Sequence, residues 1–196
     1  MYKILLISGL ALIVLGAAVL GYGLNLSSQF GLEAGEWKVT WYSMMNTYGT
    51  YGEVIGTETF PKTFDYDPLA QATIREEPIG FKATLELYAP TDVDVEFTVG
   101  GDDGAIILYL DGKTLITLQC PDPNVSQSAK THLTAGKHTL EIWYYQVLIE
   151  DDAAAMFDMV VPEQRAAMNI ATGGGGLLFL GLILAIPGFL LKRGPS

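Results

Sequence analysis

The sequence contains very little cysteine and histidine. Its 196 residues include one cysteine, Cys120, and two histidines, His132 and His138. One cysteine excludes an internal disulfide framework, and zinc sites built from cysteine and histidine clusters are not available. We expect Cys120 to be an unpaired thiol, with an intermolecular disulfide as the alternative. No serine, cysteine, histidine and carboxylate pattern points to a nucleophile, so we predict no catalytic residues and no enzymatic activity.

Basic residues are also scarce. The chain has 11 lysines and arginines against 22 aspartates and glutamates. All 22 acidic residues and eight of the basic ones lie between residues 25 and 172, which gives this stretch a net charge of −14. Such a stretch is repelled by nucleic acid and by anionic lipid, so we predict no nucleic-acid partner. About 140 residues are enough to bury a core.

Two long apolar runs lie at the ends of the chain. Residues 4–24 and 173–191 contain no charge, and each run is long enough to cross a bilayer as a helix. We predict two transmembrane helices with these bounds. A cleaved signal peptide is the alternative for the first run, although the run is longer than the usual apolar core of a signal peptide and no clear cleavage site follows. A sorting signal containing Pro187-Gly188-Phe189 is the alternative for the second.

The flanking charges predict the orientation in the membrane. Lys3 precedes the first run, Lys192 and Arg193 follow the second, and the inner flanks carry only Arg165. Positive residues favour the cytoplasmic side, so both termini are predicted to be cytoplasmic. The resulting order is tail 1–3, helix 4–24, linker 25–35, extracytoplasmic domain 36–162, linker 163–172, helix 173–191 and tail 192–196. Small residues such as Ala17, Gly21 and Gly173 are expected to let the helices pack closely.

Alternating apolar and polar residues predict β-strands in the middle of the chain. Residues 79–88 and 93–99 alternate strictly around Pro90-Thr91-Asp92, and we predict that they form an antiparallel pair. Asp111-Gly112 suits a tight hairpin turn between the apolar stretches 105–110 and 113–118. Further strands are predicted at 37–41, 138–144 and 156–161, whereas 43–77 is interpreted as connections with one short strand near Phe64. Seven or more short strands indicate an all-β sandwich.

An ordered series of short motifs resembles a known family. Gly101-Asp102-Asp103-Gly104 leads into an apolar strand and Asp111-Gly112-Lys113, and is followed later by Leu133-Thr134-Ala135-Gly136-Lys137-His138 and Trp143-Tyr144-Tyr145. This order resembles the PA-fourteen domain, which is named from anthrax protective antigen and found in glycosidases, yeast flocculins and surface proteins. The resemblance implies a β-sandwich whose first and last strands lie close together. Two terminal transmembrane helices would then form a side-by-side pair.

The resemblance also implies a candidate calcium site. In flocculin-like members, adjacent aspartates chelate calcium, which binds sugar hydroxyls, and Asp102 and Asp103 match those positions. Carboxylate oxygens are suitable calcium ligands. The flocculins supply an asparagine ligand after the aromatic strand, whereas this chain has Gln146 there. The alternative is that Asp102-Asp103-Gly104 is simply a turn.

Two functions follow as hypotheses. The first is a membrane-anchored cell-surface module that binds carbohydrate or another surface polymer, with calcium as a possible cofactor. The second is a structural or accessory subunit whose helices contact other membrane or envelope proteins. The sequons at Asn25 and Asn124 are candidate glycosylation sites. Aromatic residues at 41–42 and 143–145 either stack against sugars or fill the core and the sheet surface.

Overall fold

The computed structural model describes residues 2–44, 51–64, 79–102, 104–120, 125–146 and 154–192. The chain divides into two compact units, one formed by Met1–Gly31 with Pro162–Ser196 and the other by Leu32–Val161. The first unit contains two helices, α1 (Tyr2–Phe30) and α2 (Pro162–Lys192). Asp103, Asn124 and the interval 65–78 lie outside the described residues.

The second unit is made of antiparallel strands. They are β1 (Glu33–Ala34), β2 (Trp37–Met44), β3 (Tyr51–Phe60), β4 (Ile79–Ala89), β5 (Val93–Asp102), β6 (Gly104–Leu110), β7 (Lys113–Cys120), β8 (Val125–Leu133), β9 (Gly136–Gln146) and β10 (Ala154–Val160). One sheet has the order β3-β2-β4-β9-β6-β7, with β1 also paired to β4, and the other has the order β10-β5-β8.

The core of this unit lies between the two sheets. Trp37 of β2 is fully buried and its ring centroid lies 4.9 Å from that of Phe157 in β10, on the opposite sheet. Phe81 and Tyr144 stack on neighbouring strands with centroids 5.3 Å apart. Large aromatic side chains bury much apolar area each, so they supply a substantial share of the stability. The contact between Trp37 and Phe157 also places the first long strand and the last strand opposite each other in the sandwich.

The predicted fold class, an all-β sandwich flanked by two apolar helices, is confirmed. One pairing was wrong: β4 and β5 do not pair, because β4 belongs to the larger sheet and β5 to the smaller. The turn between them carries the chain from one sheet to the other. The Asp92 carboxylate in that turn accepts a hydrogen bond from the Ala135 amide at 2.7 Å. Alternation showed which face of each strand is buried, but it does not specify the partner strand.

Apart from the two-residue β1, which lies in the predicted linker 25–35, two strands were not predicted from the sequence. β3 occupies ten residues of a segment interpreted mainly as connections, and near Phe64 the structure has a single bridge to Phe157. β8 lies at the edge of the smaller sheet with mostly exposed side chains. Strands of this kind bury little on either face, so their sequences do not alternate clearly.

The helices are longer than the apolar runs. α1 continues to Phe30 and α2 begins at Pro162, so most of the residues assigned to the linkers 25–35 and 163–172 are helical. Pro162 suits the first position of a helix, because its ring fixes a helical φ and its missing amide hydrogen would have no partner there. The proline therefore ends β10 and begins α2.

Glycines at intervals of seven residues allow the backbones of the two helices to approach closely. A Cβ atom at Gly9, Gly16 or Gly23 would lie 2.4–2.5 Å from a backbone nitrogen of α2. Gly9 faces Ala185 and Gly23 faces Ala171, so the helices run antiparallel. Seven residues are close to two helical turns, which places these glycines on one face. Gly21 and Gly173 have no atom within 4 Å of their Cβ positions, so the expectation that these two glycines mediate the contact between α1 and α2 was wrong.

Candidate functional site

The turn between β5 and β6 contains the candidate calcium ligands. Asp102 is the last residue of β5 and Gly104 is the first of β6, with Asp103 between them outside the described residues. The Tyr144 hydroxyl donates a hydrogen bond to the Asp102 carbonyl at 3.2 Å. A Cβ at Gly104 would lie 2.6 Å from the Tyr145 carbonyl oxygen and 2.8 Å from the Tyr144 ring. Gly104 is therefore required by the close approach of β9, and Tyr144 fixes the path of the chain beside Asp102.

Gln146 lies next to this turn. It pairs with Gly104 in the ladder between β6 and β9, and 7% of its surface is exposed. Gln146 stands where the flocculin pattern has an asparagine ligand. Gln146 is the cross-strand partner of Gly104, and Asp102 precedes Gly104 by two residues in the chain. One residue with a carboxylate and one with an amide therefore lie near this turn.

The described donors alone do not form a calcium site. Ca²⁺ takes six to eight oxygen ligands, and its protein sites are rich in carboxylates. In the described ranges, no group of three or more histidine, cysteine, aspartate and glutamate side chains could hold a metal ion. Asp103 is not among the described residues, so a calcium site at Asp102 and Asp103 stays a prediction.

His138 connects the turn between β6 and β7 to the turn between β8 and β9. Its Nδ1 lies 2.7 Å from Asp111 Oδ2 and its Nε2 lies 2.8 Å from the Thr134 carbonyl oxygen. Both partners are acceptors, so the arrangement is fully satisfied only by the imidazolium form, in which both ring nitrogens donate. Asp111 also accepts from the Thr139 amide at 2.9 Å. The Asp111 φ of 50° and the Gly112 φ of 74° confirm the predicted tight turn.

Hydrogen bonding and charge shift the pKa values of both His138 and Asp111. Burial alone would lower the pKa of His138, but the hydrogen bonds to Asp111 and Thr134 and the Asp111 charge outweigh it, so the pKa of His138 is raised. Burial alone would raise the pKa of Asp111, but its bonds to His138 and Thr139 and the nearby positive charges lower it. This arrangement joins and stabilises the two turns.

Aromatic residues form a ladder across the outer face of the larger sheet. The Lys82 ammonium lies 4.0 Å from the centre of the Trp143 ring and 5.8 Å from that of Tyr42. Tyr109 packs against Trp143 with centroids 5.2 Å apart, and the Trp143 ring nitrogen donates to Glu141. Cation–π contacts of this kind stabilise a sheet surface. Trp41 and Tyr144, in contrast, are buried in the core. The aromatic residues thus divide between core and sheet surface, and Trp143 is already packed by neighbouring side chains.

A groove of about 400 Å³ lies elsewhere on the same sheet, beside β1 and the start of β2. The strand pairing shows how the groove arises. Ala34 pairs with Leu87 and Lys38 pairs with Thr84, so the chain advances four residues along β1 and β2 while β4 advances only three. One extra residue therefore bulges out at 35–36. A bulge interrupts the ladder and redirects side chains. This groove was not predicted from the sequence, since the bulge is visible only as a change of pairing register. Gly35, in the segment Glu33-Ala34-Gly35-Glu36, is its one local signal.

Comparison with known proteins shows the fold and no more. No family model matches the chain, and no curated protein matches its sequence. A solved anti-sigma factor domain-containing protein is 20% identical, with a TM-score of 0.50, over 69% of this chain and 44% of that one. A PA14 sugar-binding domain from an RTX adhesin is 15% identical, with a TM-score of 0.46, over 66% of this chain and 90% of that domain.

A beta-glucosidase from Kluyveromyces marxianus in complex with glucose is also similar, at 12% identity and a TM-score of 0.48. The match covers 68% of this chain but 16% of the enzyme. The chain therefore spans about a sixth of the beta-glucosidase it resembles, and the likeness assigns no activity. The PA-fourteen resemblance noted in the motifs agrees with the folds that these comparisons found.

Proposed function

We propose that the chain is a membrane-anchored binding module that presents its β-sandwich on the non-cytoplasmic side and recognises carbohydrate or another surface polymer. The observation that carries the proposal is the Asp102–Gly104 turn, which β9 packs tightly through Tyr144 and Tyr145. Gln146 lies beside that turn. The order of motifs around it resembles the PA-fourteen domain, a family in which the flocculin-like members bind sugar through calcium.

The exposed surface of the helices supports membrane anchoring. The candidate spans have mean hydropathies of 2.7 and 1.9, and 11% and 17% of their most apolar windows are buried. The core helix of a soluble protein is mostly buried, whereas Ile4, Val14 and Phe179 are each at least 65% exposed here. Lipid tails are as apolar as these side chains, so a bilayer can cover them without exposing them to water. Lys3 at one end and Lys192 and Arg193 at the other favour cytoplasmic termini.

Calcium-dependent stability tests the turn. The full-length chain in detergent is unfolded thermally with and without Ca²⁺ and followed by tryptophan fluorescence, since all three tryptophans lie in Leu32–Val161. We expect Ca²⁺ to raise the melting temperature of the unmodified chain and of Asp158→Asn, an exposed control in β10. The increase should vanish in the double variant Asp102→Asn with Asp103→Asn. An absence of any increase in the unmodified chain would remove calcium from the proposal.

Binding to polysaccharide tests the function itself. Dextran, mannan and laminarin coupled to beads are incubated with the detergent-solubilised chain in Ca²⁺ and in chelator. We expect retention on at least one polymer and elution by the same polymer in solution. Failure to bind all three under both conditions counts against carbohydrate recognition.

A second candidate function is that of an accessory subunit in a membrane assembly. One observation favours it: Gly173, Gly175 and Gly176 of α2 have no atom within 4 Å of their Cβ positions. A second set of small residues outside the α1 contact allows another helix to approach closely. Mass determination after extraction in a gentle detergent distinguishes the two candidates, since a lone monomer contradicts the accessory role.

A further inference from the structure

We propose that the groove beside the β1–β2 bulge is a saccharide-binding site, separate from the Asp102–Gly104 turn. The inference rests on the proposed carbohydrate recognition and assigns it a place. The groove has about 400 Å³ of space, within the range of small-molecule sites. Its ligand is an uncharged saccharide chain.

The geometry of the strands gives the groove its length. Lys38 lies opposite Thr84, and Lys137 lies opposite Tyr88, so the two lysines are four β4 residues apart. At about 3.3 Å per residue this separation is roughly 13 Å, which exceeds a single sugar ring. Glu86 lies between them on β4 and is exposed, like Tyr88. The groove therefore follows β4 and suits an extended chain.

The chemistry of the lining suits hydroxyl groups. Three carboxylates, at Glu33, Glu36 and Glu86, accept hydrogen bonds, and the two lysine ammonium groups donate them. None of these five side chains forms an ion pair within 4.0 Å with any described residue. A sugar hydroxyl both donates and accepts, so it can satisfy both kinds of group at once.

Tyr88 supplies the apolar contact. Tyr88 is 42% exposed and lines the groove, in contrast to Trp143, whose ring is covered by Lys82 and Tyr109. An aromatic ring with a polar tip is a common element of wet binding surfaces. Among the aromatic residues on this face, Tyr88 is therefore the better placed to receive the C–H face of a sugar.

Charge selects against an anionic ligand. The groove carries three carboxylates and two ammonium groups, and it belongs to a stretch with a net charge of −14. The field of such a surface repels polyanions and leaves uncharged polymers unaffected. We expect alginate, an anionic polysaccharide, to bind at least ten-fold more weakly than the best of dextran, mannan and laminarin.

The test measures binding of full-length variants in detergent to the polymer that retains the unmodified chain. Tyr88→Ala and, separately, Glu86→Gln should weaken binding about ten-fold or more, which corresponds to about 1.4 kcal/mol. Val54→Ala, a control at an exposed position on β3, should bind normally. Melting temperatures of the variants within a few degrees of the parent show that the fold is kept.

The outcomes separate this inference from the proposed function. Normal binding by both Tyr88→Ala and Glu86→Gln would overturn the groove as a site while leaving carbohydrate recognition in place. Binding that is lost only in the Asp102 and Asp103 variant assigns recognition to the turn and also overturns it. If the unmodified chain binds none of the three polymers, the proposed function and the inference both fail.

Discussion

Replacing His138 by alanine removes a side chain that joins the Asp111–Gly112 turn to the Thr134–Gly136 turn. Two hydrogen bonds are lost, one to the Asp111 carboxylate at 2.7 Å and one to the Thr134 carbonyl at 2.8 Å. His138 has an 11% exposed side chain, whereas Asp111 is 47% exposed. Because solvent screens the exposed partner, we assign about 1 kcal/mol to each bond, near the middle of the usual range.

The expected loss is therefore about 2 kcal/mol in the free energy of unfolding at pH 6. For a domain of roughly 130 residues this lowers the melting temperature by about 8 °C. His132 is the matched control, since its ring is 59% exposed and bonds to Asp94, which is 64% exposed. An exposed pair contributes little, so His132→Ala should change the melting temperature by at most about 2 °C.

The pH dependence gives the prediction a second readout. The pKa of His138 is raised in the folded state, so its contribution is complete below the unfolded value near 6.5 and is lost as pH rises through the folded value. The pKa of Asp111 is lowered, so its contribution is present above 3.8 and is lost as pH falls through the folded value. The pair therefore stabilises the domain most between about pH 4 and 6.5, and we expect a decline toward pH 8 that His138→Ala largely removes.

Tryptophan fluorescence during thermal unfolding, recorded on the full chain at pH 5.5 and pH 8, supplies both readouts. Trp37, Trp41 and Trp143 all belong to the sandwich, so the helices do not contribute to the signal. Equal effects of His138→Ala and His132→Ala would refute the assignment of the stability to the two-turn contact. A pH slope unchanged in His138→Ala would refute the charged state of His138.

Further predictions concern glycines for which the chain supplies its own controls. Gly23→Val should separate the two helices, because a Cβ atom at this position would lie 2.4 Å from the Ala171 nitrogen. Gly21→Val should be tolerated, because no atom lies within 4 Å of its Cβ position. Disulfide cross-linking between cysteines introduced at facing helix positions measures the difference. Gly104→Ala should destabilise the sandwich by about 1–3 kcal/mol through overpacking against Tyr145, while Gly56→Ala, with open space at its Cβ, should change the melting temperature little.

The parts of the fold that were predicted correctly have strong local signals. β4 and β5 alternate with a period of two, and Asp111-Gly112 specifies its hairpin through positive φ angles. The pairing of β4 with β5 was predicted wrongly, since the two strands lie in different sheets. That choice depends on which apolar faces fit together across the core, as in the contact of Trp37 with Phe157. No short window of sequence contains such a contact.

The candidate sites differ in the same way. The turn at Asp102 was predictable because its residues are adjacent and follow a recognisable order. The groove was not predictable, because Lys38 and Lys137 are brought to one sheet by pairing with β4 and the space between them is created by a register change. For the helix contact, the residue type was predicted correctly, since small residues mediate it, but the helix face was not. The seven-residue interval of Gly9, Gly16 and Gly23 is the periodic signal that identifies the correct face.

Labelling of lysines in intact cells tests most directly the claim that two spanning helices place the sandwich outside the cytoplasm. A membrane-impermeant amine reagent is applied before and after permeabilisation, and the modified residues are located by mass spectrometry. We predict that exposed sandwich lysines such as Lys113 and Lys130 are labelled in intact cells, while Lys3 and Lys192 are labelled only after permeabilisation. Labelling of Lys3 in intact cells, or protection of Lys113 and Lys130 there, would contradict the account.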